Sequence, residues 1–193
     1  MFYNMEHYPD PTADTAIHNA DIEIRAAKAA RMLEERMQEI KFKIPGPAKA
    51  KERPRARVMY SHGKPIAQIY TPKNTQGYEA NIRACFARQI GDVRLAAPIR
   101  ATILVIHSVP KSYPKRRRED CLMGAVPHTG KPDLDNIAKV VLDALNGVAY
   151  DDDAQVTELL IRKQYGPEPC VWVRLQGDAT VEQSRLEKVG EKA

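Results

Sequence analysis

Residues 101–110 carry no formal charge, and the Ile-Leu-Val-Ile run at residues 103–106 is apolar throughout. Because neighbouring side chains of a strand point to opposite faces, this run predicts a strand buried on both faces in the middle of a sheet. His107 is expected at the end of that strand, in a structurally satisfied position. The uncharged run is about half of the roughly 20 residues that a membrane-spanning helix needs, so we expect no membrane segment.

Segments on either side of the central strand follow the two regular periods. Helical spacing of apolar residues predicts one helix after Pro72, which buries Tyr78 and Phe86, and a second helix between Asp133 and Gly147. Four further segments are strand-like: residues 40–44, the hairpin partners 58–60 and 66–70, and residues 156–165. The mixture predicts an α+β fold, with a mixed or antiparallel sheet packed by two main helices.

The chain of 193 residues divides by composition into an N-terminal helical extension (1–37), one main domain (38–177) and a polar C-terminal tail (178–193). Hydrophobic residues make up 43% of the chain, enough for a core that folds without the support of disulfides or structural metals. The cysteines Cys85, Cys121 and Cys170 are too few and too widely spaced for a disulfide framework, which predicts reduced thiols. The N-terminus lacks the pattern of a signal peptide, so we expect a cytoplasmic protein.

Two basic segments stand out within a modest net charge of +5. In the first, every odd position from 49 to 57 is basic, so an extended backbone would place five cations on one side. They would extend over roughly 26 Å, a length comparable to several phosphate spacings along a DNA strand. The second is expected to be a long polar loop, from residue 111 to about residue 130. Their cations are candidate DNA contacts: Lys49, Lys51, Arg53, Arg55, Arg57, Lys111, Lys115, Arg116, Arg117 and Arg118. The alternative is that both segments are merely solvated.

The second predicted helix carries an unusual set of carboxylates. Asp133 is placed as its N-cap, and Asp135, Lys139 and Asp143 recur on its polar face, followed by a triple Asp at residues 151–153. If the chain doubles back, four or five carboxylates converge, and a hard divalent cation such as Mg²⁺ would relieve their repulsion. The spacing does not fit a calcium loop, which leaves metal-assisted phosphoryl transfer or, alternatively, a capped helix with a solvated stripe.

These residues resemble a known family. The matching pattern comprises Lys131-Pro-Asp133-Leu-Asp135-Asn136-x-x-Lys139, Asp143-Ala-Leu-Asn-Gly147, Tyr150-x-Asp152-Asp153-Ala154-Gln155 and Lys163-x-Tyr165, preceded by Tyr70-Thr-Pro-Lys73 and Lys111-Ser-Tyr-Pro. In this order and spacing it closely resembles the RusA family of Holliday-junction resolvases. The resemblance covers about residues 40–175 and excludes the N-terminal extension.

The resemblance implies a homodimeric, Mg²⁺-dependent endonuclease, in which Mn²⁺ can substitute, of a family that is often prophage-encoded. Such an enzyme resolves four-way DNA junctions in recombination and repair by paired symmetric nicks. It implies that Asp133, Asp135 and Asp153 bind the metal, that Lys139 lies near the scissile phosphate, and that Asp152 is the adjoining acid. Two alternatives stay open: a non-catalytic nucleic-acid-binding protein such as a phage regulator, and a metal nuclease acting on flaps, forks or RNA.

Overall fold

The computed structural model describes residues 22–29, 31–32, 36–61 and 64–179. The chain splits into two compact units, residues 1–37 and 38–193. In the first unit, residues 22–29 and 31–32 are helical. Most of the predicted C-terminal tail lies outside the described residues. Within the described ranges, no helix has the length and apolar character needed to cross a membrane.

The second unit combines strands and helices without a regular alternation, as expected for an α+β domain. The elements from residue 37 onward are, in chain order, β1 (Met37–Pro45), β2 (Arg55–Ser61), β3 (Lys64–Tyr70), α1 (Lys73–Gln89), β4 (Leu95–Ser108), α2 (Lys115–Leu122), α3 (Leu134–Leu145), a short 3₁₀ turn (Asp153–Gln155), β5 (Val156–Gly166) and β6 (Cys170–Ala179). The fold class predicted from the sequence is therefore confirmed.

The main sheet is mixed and has the strand order β1-β6-β4-β5. β4 is central, parallel to β5 and antiparallel to β6, as the apolar run predicted. Burial on both faces is not observed, because Ile103 and Val105 are fully buried whereas Leu104 is only half-buried. Beside Leu104 on the outer face, Trp172 is 42% exposed. The helices thus cover one face of the sheet, which we call the inner face.

The core lies between the inner face and the helices α1 and α3. Phe42 of β1 meets Phe86 of α1 edge to face, with ring centroids 5.5 Å apart, and Tyr78 is also buried as expected. α3 contributes Ile137, Val141 and Leu145, all fully buried. All three cysteines are free and buried, which agrees with reduced thiols.

Strands β2 and β3 form a separate antiparallel ribbon, as the hairpin prediction requires. The register gives the ribbon one face made only of apolar residues, among them Tyr60 and Ile69, which are 75% and 74% exposed. The opposite face carries Arg55 and Arg57. A two-stranded ribbon is marginally stable in water on its own, so cover on its apolar face would stabilise it.

The segment after β4 differs from the long loop that was expected. Residues Lys115–Leu122 form helix α2, which begins after Pro114 and buries Cys121. Proline before the first turn costs the helix no hydrogen bond, and the run of Lys and Arg has good helical propensity. The dense positive charge of residues 115–118 suggested a loop, but the helical propensity of these residues decides the local structure.

At the end of β4, His107 stacks on His128 with ring centroids 3.8 Å apart and an interplanar angle of 5°. His107 was expected to be structurally satisfied, but its Nε2 is buried without a hydrogen-bond partner among the described residues, as is Nδ1 of His128. Burial, the neighbouring His128 and the ammonium of Lys163 lower the pKa of His107 to about 4. Burial and Lys163 also lower the pKa of His128. The stack therefore favours two neutral rings.

This stack makes stability depend on pH. A histidine whose pKa is lowered by folding takes up its proton more readily in the unfolded chain, so acid favours unfolding. The free energy of unfolding should fall as the pH drops from about 6.5 to about 4. Urea titrations at several pH values would measure this, with the double variant His107→Phe/His128→Phe as the control. An identical pH profile in the two proteins would contradict the prediction.

Candidate active site

Asp133 and Asp135 lie at the N-terminal end of α3 with their carboxylates accessible. Asp133 is the N-cap residue, and its backbone oxygen accepts a hydrogen bond from the amide of Ile137 at 3.1 Å, but its side chain makes no capping bond. Asp135 is exposed in the first turn, and Lys139 is exposed one turn later. The helix dipole stabilises negative charge at this end. The Asp135 carboxylate accepts one long hydrogen bond, from the side-chain amide of Asn136 at 3.4 Å. Two accessible carboxylates therefore project from one helix end.

The triple Asp lies beyond the other end of α3. The chain turns at Gly147, which has a φ of +71°, and the hydroxyl of the buried Tyr150 donates to the backbone oxygen of Leu142 at 2.8 Å. The Arg94 guanidinium binds both the Asp151 carboxylate, at 2.8 Å, and the backbone oxygen of Gly147, at 2.7 Å. These contacts hold residues 151–153 close to the C-terminal end of the helix.

Asp152 and Asp153 have different surroundings. The Asp152 carboxylate accepts a hydrogen bond from the amide of Ala154 at 2.8 Å, and Gln155 accepts from the amide of Asp152 in return, which forms a capping box. Asp153 is exposed, and the described residues give its carboxylate no hydrogen bond or ion pair. Asp153 is thus free to bind a ligand, whereas Asp152 shapes the turn.

The three predicted metal ligands do not come together in one chain. The ammonium of Lys163, on β5, donates to the backbone oxygens of Gly130 and Pro132, so the far part of β5 lies beside the start of α3. Since Asp153 precedes β5, the 12-residue helix, about 18 Å long, separates it from Asp133. Among the described residues, no group of three His, Cys, Asp or Glu side chains could hold one metal ion.

The order of elements along the chain keeps the carboxylates apart. β5 does run antiparallel to α3, as convergence of the carboxylates requires, but the triple Asp comes before the strand rather than after it. The residue that β5 carries to the start of α3 is Lys163. The expected cluster of four or five carboxylates therefore does not form within one copy of the chain.

Lys51 departs from the expected row of five cations. Its ammonium contacts the carboxylates of Asp143 and Glu79, the latter at 3.3 Å, and its amide donates to the backbone oxygen of Asn136 at 3.0 Å. These interactions outweigh partial burial and raise the pKa of Lys51. Lys51 therefore links the basic segment at residues 49–57, which we call the arm, to α1 and α3. Asp143 is not part of a solvated stripe. The cations at positions 49, 53, 55 and 57 stay exposed.

A groove runs from these cations to Asp133. It consists of three adjoining cavities of about 590, 480 and 430 Å³, all lined by Asn74 at the start of α1. We call it the Asn74 groove. Its basic residues, in addition to three of the predicted cations, are Lys73 and Lys131. The residues that define it are Lys49, Arg55, Arg57, Lys73, Asn74, Lys131 and Asp133.

Sequence reasoning missed the roles of Lys73, Asn74 and Lys131. Lys73 and Lys131 both stood within the motifs that carry the family resemblance, but a single lysine beside a proline gives no signal of a groove. The groove becomes visible only in the fold, because residues of the arm, the start of α1 and the start of α3 line it together.

The second basic segment lies near the same end of the sheet. The cations at residues 115–118 are exposed on α2, and the Arg117 guanidinium lies 4.3 Å from the ring centroid of Tyr113. Tyr113 shares a hydrogen bond with Tyr165 of β5, two residues from Lys163. Because Lys163 contacts the segment before Asp133, α2 and the start of α3 lie at the same end of β5.

A family model described as Endodeoxyribonuclease RusA matches residues 45–176, more than half of the chain. The chain belongs to the RusA family. It is also 31% identical over 139 residues to the uncharacterized protein YqaN of Bacillus subtilis (strain 168), a match that covers 71% of this chain and 95% of YqaN. The family resemblance found in the sequence is thus confirmed.

The RusA match contains every residue of the Asn74 groove and the carboxylates at both ends of α3. The family consists of endodeoxyribonucleases, so an accessible carboxylate pair beside a basic groove suits its chemistry. The N-terminal extension lies outside the match.

The Lys51 interactions predict a loss of stability on substitution. Lys51→Met should leave two partly buried carboxylates unpaired and lower the free energy of unfolding by about 1–3 kcal/mol. Chemical denaturation at neutral pH would measure it, with Lys49→Met as the exposed control. Equal stability of the two variants would contradict the role given to Lys51.

Proposed function

We propose that this RusA-family protein is a Mg²⁺-dependent, structure-selective endodeoxyribonuclease that resolves Holliday junctions by paired symmetric nicks. The observation that carries the proposal is the pair of accessible carboxylates at the start of α3, Asp133 and Asp135, of which Asp133 lines the Asn74 groove. The family supports DNA cleavage, and the groove supplies cations for DNA phosphates.

The donor set suits Mg²⁺. Asp133, Asp135 and Asp153 offer hard carboxylate oxygens, and none of the three uses its carboxylate to cap a helix. When bound, the ion would activate a water molecule and stabilise charge on the scissile phosphodiester. Mn²⁺, which prefers similar oxygen ligands, should substitute. Lys139, one turn from Asp135, adds a positive charge that stabilises the phosphate oxygens.

The Asn74 groove holds the DNA strand. Its cations contact backbone phosphates and not base edges, so affinity should depend strongly on salt and on junction shape. The exposed cations at residues 115–118, near the same end of β5, would contact a second segment of the junction. These contacts orient the strand toward Asp133 without reading its sequence.

A second copy of the chain would complete each metal site. Because α3 separates Asp153 from Asp133 by about 18 Å, one chain supplies Asp133 and Asp135 to one site and Asp153 to another. A symmetric dimer has two such composite sites, one for each of two opposed junction strands. The homodimer is therefore part of the proposed chemistry.

Strand β5 offers a surface for this arrangement. It is one of the two edge strands of the main sheet, and Leu159 and Leu160 on it are 45% and 59% exposed. Antiparallel pairing of β5 with β5 of a second copy would place the start of one strand beside the end of the other. Asp153 of the second copy would then lie near Lys163 and Asp133.

Loss of one carboxylate should abolish cleavage and spare binding. We expect Asp135→Asn to bind a synthetic four-way junction as wild type does and to nick it at least about 100-fold more slowly. Asp92→Asn, which changes an exposed carboxylate outside the site, is the matched control. Wild-type nicking by Asp135→Asn would contradict the ligand role.

The same assay separates the proposed substrate from its alternatives. Junctions, linear duplexes, flaps, forks and RNA should be compared with and without Mg²⁺. Paired symmetric nicks in the junction alone are expected. Preferential cutting of flaps, forks or RNA would assign another metal nuclease, and binding without cutting would assign a non-catalytic binder.

Mixed dimers test the composite site. Asp135→Asn and Asp153→Asn should each be inactive, but a mixed dimer retains one intact site, formed by Asp135 of one copy and Asp153 of the other. Co-expression should restore single nicks in the junction. Mixing Asp133→Asn with Asp135→Asn is the control, because both sites then keep a defect. An inactive first mixture would contradict the shared site.

A further inference from the structure

The segment between α2 and α3 delivers Asp133 to its position. Residues 126–132 form no backbone–backbone hydrogen bonds with other described residues, whereas the turn before them and the helix after them do. Side-chain contacts must therefore hold this segment. Without them, the start of α3 would be tied to a stretch of chain with many backbone conformations.

Lys163 makes the first of these contacts. Its ammonium donates to the backbone oxygens of Gly130 at 2.7 Å and Pro132 at 3.1 Å. Pro132 immediately precedes Asp133, so one side chain on the sheet fixes the backbone on the approach to the helix. A hydrogen bond from a charged donor is stronger than one between neutral groups.

His128 makes the second contact. Its ring lies flat on His107 of β4 at 3.8 Å and meets Tyr165 of β5 edge to face at 5.0 Å. Gly130 lies close to the same ring, because a Cβ at this position would be 3.2 Å from Cε1 of His128. The segment is thus held against two adjacent strands by a ring and an ammonium.

We propose that Lys163 and His128 are positioning residues, which hold the segment before α3 so that Asp133 can bind the metal. The proposal rests on the proposed function for its effect on cleavage. The contacts themselves do not depend on it, because they belong to the chain without any ligand. Groups that orient a ligand from behind commonly change metal affinity 10–100-fold.

Loss of the ammonium should have two effects. In Lys163→Met, amide hydrogen exchange should rise about tenfold at the first hydrogen-bonded amides of α3, residues 137–140, and stay unchanged in β4 and β6. The Mg²⁺ concentration for half-maximal junction nicking should rise about tenfold at unchanged junction affinity. A merely structural defect would lower the active fraction without moving the Mg²⁺ dependence.

Three further variants sharpen the test. Lys163→Arg keeps a cationic donor and should restore both readouts at least in part. Lys41→Met removes an exposed lysine from the outer face of the same sheet and should change neither. His128→Ala should behave as Lys163→Met does, whereas His128→Phe keeps a flat ring on His107 and should retain protection.

Hydrogen exchange tests the positioning role, and DNA cleavage by the wild type tests the proposed function, so the two proposals can fail independently. Unchanged exchange in both Lys163→Met and His128→Ala overturns the positioning role, whatever the nuclease activity. Local exchange with an unchanged Mg²⁺ dependence also overturns it. If the wild type cuts no DNA, the proposed function fails, and hydrogen exchange together with Mg²⁺ titration by calorimetry still decides the positioning. If Lys163→Met unfolds, the comparison of His128→Ala with His128→Phe decides it.

Discussion

The packing of α3 against the inner face of the sheet decides where the acidic residues lie. Ile137, Val141 and Leu145 are fully buried in this contact, so the helix can neither rotate nor slide without exposing them. Its direction places Asp133 at one end of β5 and Asp153 at the other. The basic arm is attached to the same helix, because the ammonium of Lys51 forms an ion pair with the carboxylate of Asp143 on α3. The groove, the carboxylates and the segment before Asp133 all take their positions from this packing.

Much of the fold could be predicted from the sequence because local patterns dominate it. The apolar run at residues 103–106 identified the central strand, and helical spacing identified the buried face that contains Tyr78 and Phe86. Helix α2 was not predicted. Its dense positive charge is typical of a solvated loop, although Lys and Arg also favour a helix. Burial on only one face of β4 was also missed, because periodicity cannot show whether a second layer covers a sheet.

The candidate site was predicted less completely, because it depends on long-range geometry. The motif named Asp133, Asp135 and Asp153, yet spacing along the chain does not show that α3 keeps the third apart from the others. Charge alternation suggested that the Lys51 side chain faces solvent with its neighbours. Instead, its ammonium contacts two carboxylates from helices that are far from it in sequence, α1 and α3. The stack of His107 on His128 joins residues 21 positions apart and has no local signature.

The length of α3 bears on how such a protein is controlled. If each site takes carboxylates from both ends of the helix, a lone chain holds only halves of two sites. At concentrations below the dimer dissociation constant, the population of complete sites rises with the square of the protein concentration. Newly made chains would then be harmless to chromosomal DNA until enough copies accumulate to pair. The spacing of two aspartates along one helix would in this way set a threshold for DNA cutting.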